Sequence, residues 1–130
     1  RKGCRADTFT PNEPADILAV AGTLHAAFTH ALLADAATAE RRWLQATIHG
    51  EHAFSLTTLV DSAVYINGLS RAVLALMAVY WRSDSAVLRA RAERAVRHAV
   101  RRFRCLSTLA PVREYVHACV AVLDGDGRRA

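Results

Sequence analysis

The chain has 130 residues, 52% of them apolar, a formal charge of +5 and three cysteines. That length suits one domain able to bury a core without staples, and the apolar fraction excludes wholesale disorder. An odd cysteine count (Cys4, Cys105, Cys119) with no CxxC excludes a disulfide framework and a zinc module.

Alanine makes up about a fifth of the sequence, proline and glycine are scarce, and no alternating β-branched run appears. The fold class expected is all-α, an up-down bundle of four to five helices around a central apolar helix at about 54–82. Residues 1–10 read as a polar flexible tail, 11–124 as one helical-bundle domain and 125–130 as a frayed end. The chain starts at Arg1 rather than at a methionine, as a piece of a longer protein would.

Taken in order, Thr10-Pro-Asn-Glu13 has capping-box spacing, with Pro14 as an alternative start. The first helix then runs to about Ala34. On a 3.6 period Ile17, Ala21, Leu24, Phe28 and Ala31 share its apolar face; Asp16, Thr23 and His30 lie opposite, and His25 reads as a partly buried core histidine. Asp35 can cap a second helix, 36–49, unless the two are one bent helix. Leu44 and Ile48, with Trp43 beside them, form its apolar stripe, and Gly50 ends it as a left-handed residue.

The central helix reads apolar on every side of its second half: Leu69, Val73, Leu74, Leu76, Met77, Val79, Tyr80 and Trp81. A helix apolar all round is a buried one. Asn67-Gly68 interrupts it as a tolerated glycine that lets another helix approach. Ser83-Asp84-Ser85 is a turn with a cap. Next comes helix 86–106, with Leu88, Ala92, Ala95, Ala99, Phe103 and Leu106 on one stripe and Val96 and Val100 beside it. Pro111 opens the last helix; Val112, Val116, Cys119, Val120 and Leu123 face inward, and Gly125 and Gly127 close it.

Three constellations could carry chemistry. Residues 82–104 hold eight arginines against Asp84 and Glu93, a net of +6, so the rest of the chain sums to −1. Arg94, Arg97, Arg101 and Arg104 form a line flanked by Arg91 and Arg102. Arginine binds phosphate bidentately and stays charged, so this line suits a nucleic-acid backbone or an acidic partner. Neither aromatics for base stacking nor a helix-turn-helix, RNP or zinc-finger pattern accompanies it. The bland alternative is a solvated face in an arginine-biased sequence, relieved locally by Glu93 alone.

Second, Asp61, Tyr65, Asn67 and Arg71 put an acid, a phenol, an amide and a guanidinium on the central helix. They could line a pocket for a small polar ligand, or simply bond between helices. Third, His49-Gly-Glu51-His52 offers metal-type ligands, but its spacing fits neither HExxH nor ExxH pairs. It reads as a surface turn, and no metal or cofactor is expected.

The longest uncharged run in the central helix is Ala72–Trp81, far short of the ~18 residues of a membrane span. With no signal-peptide pattern, a soluble cytoplasmic protein is the expectation. The function expected is a non-enzymatic helical interaction module that self-associates or docks on a protein partner. The alternatives are nucleic-acid binding through helix 86–106, and a ligand sensor or cofactor-free enzyme with a pocket lined by helix 54–82.

Overall fold

The computed structural model of the chain describes the backbone of residues 14–55, 63–106 and 110–129, and the side chains of residues 22–23, 25–55, 69–101, 114–115 and 117–125. Among the described residues there are five helices and no strand: α1 (Pro14–Ala39), α2 (Trp43–Ser55), α3 (Ala63–Arg82), α4 (Ala86–Leu106) and α5 (Ala110–Arg129). They pack on one another as a helical bundle. None is long and apolar enough to cross a membrane, among the described residues.

The first two helices are separate, and the break lies at Glu40–Arg42 rather than at Asp35. The Arg42 N–H donates to the Ala37 carbonyl (2.9 Å) and the Arg41 N–H to the Thr38 carbonyl (3.0 Å). This is the paired bonding of a Schellman stop, which needs a left-handed residue at the first position past the helix. Glycine usually fills it; here Arg41 does, at φ 58°. The α3–α4 turn follows the sequence reading. The Ser85 Oγ accepts from the Leu88 N–H at 3.2 Å, an N-cap bond, and the Ser83 Oγ accepts from the Ser85 N–H. Glycine does not stop α5 at Gly125, since the helix continues to Arg129.

Phe54 and Ser55, expected in the central helix, belong to α2, and α3 is described from Ala63. It is still the hub, packing against α1, α2 and α4, while α5 leans on α4 and reaches α3 through the Tyr115 hydroxyl, which donates to the Ser70 carbonyl at 3.2 Å. Leu69, Ala72, Val73, Ala75, Leu76 and Val79 of α3 are buried. Each large aliphatic side chain so buried contributes about 1.5–3 kcal/mol. The burial is one-sided: Leu74 is 55% and Trp81 58% exposed. With α1, α2 and α4 packed on α3, the edge that carries Leu74 and Trp81 stays exposed.

Of the apolar face expected on α1, Ala31 is buried and Phe28 half-buried, while the side chains of Ile17, Ala21 and Leu24 lie outside the described residues; Ala27, Ala34 and Ala37 are buried as well. Alanine contributes little to an apolar periodicity, yet its small side chain lets neighbouring helices come close. On α2 the buried set is Ala46, Thr47, Gly50, Ala53 and Phe54, and Leu44 is exposed. Thr47 is tolerated inside because its Oγ1 donates to the Trp43 carbonyl at 2.8 Å. The α4 face matches the sequence reading, with Ala92, Val96, Ala99 and Val100 buried and Leu88 and Ala95 packed against them. The α5 face matches it too where described, with Cys119 and Leu123 buried.

Gly50 is no cap. It lies mid-α2, where a Cβ would stand 2.8 Å from Leu76 Cγ and 2.9 Å from Cδ2. The close helix approach expected at Gly68, whose surroundings lie outside the described side chains, is thus made at Gly50. Gly50→Ala gains helix propensity of about 1 kcal/mol but overpacks a fully buried leucine, at roughly 1–3 kcal/mol. It should lower stability in chemical denaturation, and less so in combination with Leu76→Ala than the single changes sum to. Arg41→Gly should act the opposite way, raising stability by up to about 1 kcal/mol in the same assay, because glycine occupies the left-handed region freely.

Candidate functional site

On α4 the arginines are not equivalent. Arg91 makes a bidentate clamp on Glu51 of α2, Nε to Oε2 at 2.9 Å and Nη2 to Oε1 at 2.6 Å. Arg97 bridges two carboxylates, Glu93 one turn back at 3.0 Å and Asp124 of α5 at 3.1 Å. Hydrogen bonding to Glu51 and to Glu93 holds these two guanidiniums above the usual arginine value. Glu93 is therefore not the sole relief of the stripe; α2 and α5 each supply an acid. Arg94 and Arg101 are exposed, and the side chains of Arg102 and Arg104 lie outside the described residues. Arg91 and Arg94 line, with Glu51, Phe54, Ala95 and His98, an open groove of about 340 Å³ between α2 and α4. Its charge is mixed, because the Glu51 carboxylate stands beside the two guanidiniums.

Of the polar set expected on the central helix, Asp61 and the side chains of Tyr65 and Asn67 lie outside the described residues. Arg71 is exposed, and its Nη1 stands 3.5 Å from Asp35 Oδ2 of α1. At that exposure the pair contributes at most about 1 kcal/mol.

A histidine cluster joins α1 to α2. The His49-Gly-Glu51-His52 segment is helix, not turn. His30, expected to face away from the core, stands between its two histidines. The His30 and His49 Nδ1 atoms are 3.0 Å apart, and the His30 ring stacks on both partners at centroid distances of 5.2 and 5.1 Å. One Nδ1 must donate and the other accept, so the bond is lost when both rings are protonated. No three metal-type side chains converge on one point, among the described residues. His25, by contrast, is exposed rather than part of the core.

Two reactive side-chain types, Tyr115 and Cys119, meet one turn apart on α5, and both are quenched. Burial pushes the Cys119 thiol up, and burial with the neighbouring sulfur pushes the Tyr115 phenol up as well. Neither is poised as a nucleophile or a base near neutral pH.

The remaining feature is the outward face of α3. Leu74, Met77, Ala78, Trp81 and Arg82 line a shallow hollow of about 490 Å³. Spacings of three, four and seven residues set these side chains along one line of the helix. Leu32, Leu33 and Leu44 on α1 and α2 and Val87 on α4 are exposed as well, but Trp43 of α2 packs against the core, whereas Trp81 continues the line on α3. The sequence displayed this stripe, but nothing in it told which apolar side of α3 stays uncovered.

The chain matches no protein-family model, no curated protein and no solved structure.

The histidine cluster makes a pH prediction. Burial lowers the His30 pKa below the ordinary imidazole value of 6.5, and the charges of His49 and His52 lower it further. A base whose folded pKa is depressed gives stability that is fully present above the unfolded value and is lost as pH falls below it toward the folded one. Thermal melts should show the stability gap between parent and His30→Gln widest above pH 6.5 and narrower at pH 5. A gap that widens on acidification would contradict the assignment.

Proposed function

We propose that the protein is a non-enzymatic helical interaction module that self-associates through the outward face of α3. One observation carries this reading: Trp81 and Leu74, on the hub helix of the bundle, are each more than half exposed. Scattered surface leucines need no explanation. A tryptophan and a leucine in line on one helix face, with Met77 between them, are the composition of an interface centre. Nucleic-acid binding by α4 draws less support. Arg91 and Arg97 are tied to carboxylates of α2, α4 and α5, which makes them bundle clamps first and phosphate ligands second.

The exposed line is short, so the association should be weak; interfaces below ~1,200 Å² characterise transient encounters. Sedimentation equilibrium should give a mass rising with concentration from 14.2 kDa toward twice that value. Leu74→Asp should keep the helical circular dichroism and cooperative melting of the parent, because the position is exposed, yet remain monomeric. An unchanged parent mass across the whole concentration range would sink the reading, as would a Leu74→Asp variant that unfolds.

A further inference from the structure

Resting on that self-association, we infer that two copies pair their α3 helices antiparallel, about a two-fold axis passing between Met77 and Ala78. The placement of residues along α3 is symmetric about that point. Leu74 and Trp81 lie equally far on either side, about 5 Å each at 1.5 Å per residue. In an antiparallel pair each Trp81 therefore meets Leu74 of the second copy, an aromatic against an aliphatic. Met77 and Ala78 meet their own counterparts near the axis. Ala78 has no side chain beyond Cβ, so the two backbones can approach closely there.

Charges flank the seam at both ends. Arg71 lies about 10 Å from the midpoint on one side and Arg82, the last residue of α3, about 7 Å on the other, with Asp84 following in the turn to α4. Arg71 carries Asp35 beside it, and both Arg82 and Asp84 are exposed. Each end of the seam thus brings Arg82 of one copy, with Asp84 in the turn beyond it, toward the Arg71–Asp35 pair of the other, so that each side of the contact offers one cation and one anion. A parallel pair would set Trp81 on Trp81, Arg71 on Arg71 and Arg82 on Arg82, stacking like charges along its length. The face complements itself only when one copy is reversed, which is the property of an isologous two-fold interface.

Disulfide trapping tests the orientation. In a Cys4→Ser, Cys105→Ser background, with buried Cys119 retained, Ala78→Cys should give a covalent dimer under glutathione disulfide, because position 78 adjoins its own counterpart at the axis. Leu74→Cys should give at least tenfold less, because its counterpart is about 10 Å away along the seam. Arg82→Glu should weaken the noncovalent dimer several-fold at low salt, with the difference fading in 1 M salt. Equal trapping at 74 and 78 overturns the antiparallel arrangement and leaves self-association standing. A dimer by sedimentation that is never trapped at 78 overturns the α3 seam itself. A chain that stays monomeric at every concentration removes the self-association on which the seam rests.

Discussion

The tightest constraint in the bundle is the seat of Gly50 on Leu76, where no side-chain atom fits between the α2 backbone and the buried leucine of α3. It fixes how close α2 stands to α3 and how α2 is rotated about its own axis. The neighbours of Gly50 then have no freedom. His49 is turned toward α1, where it meets His30. Glu51 is turned toward α4, where it takes the Arg91 clamp. Ala46, Ala53 and Phe54, one turn away on either side, close over the core. A single glycine in mid-helix, unfavourable by about 1 kcal/mol in an isolated helix, is what lets α2 serve three neighbours at once.

Small residues recur wherever helices converge. The buried face of α1 is alanine throughout its described part, and Ala72, Ala75, Ala92 and Ala99 do the same service on α3 and α4. Close backbones compensate for the small area each alanine contributes, because dispersion between many atom pairs at short range adds up. The few large buried side chains, Leu69, Leu76 and Leu123 with Val73, Val79 and Val96, fill the space between these flat faces. Leu74 and Trp81 of α3 stand outside this packing.

Charge is handled by the same logic of neighbours. The arginines of α4 repel one another along the helix, and the bundle answers from both sides: Glu51 of α2 takes Arg91, and Asp124 of α5 takes Arg97 together with Glu93. These bonds contribute less than the apolar seams, as partly exposed pairs do. Their effect is orientation, since a bidentate guanidinium admits few geometries. The outward face of α3 and the clamped face of α4 are therefore different kinds of surface, one apolar and one whose charges are partly satisfied at home.

Much of this was legible in the sequence. Helix-forming composition, the Ser85 cap and the segregated face of α4 follow from local propensity and period, and the structure repeats them. So do the inward positions of Cys119 and Leu123. What failed were particular contacts that depend on a partner helix. Gly50 looks like a terminator because glycine usually is one; Leu76, 26 residues away in sequence, makes it a contact point. Arg41 ends α1 in a conformation that glycine prefers, so no residue type announced the break. His30 looks solvent-facing until α2 is laid against it. The apolar circumference of α3 was plain from its residues, but which arc stays bare depends on where α1, α2 and α4 lie. A sequence specifies the period and the caps, because these are settled within a few residues. Rotation, close approach and exposure are settled only when helices distant in sequence pack together.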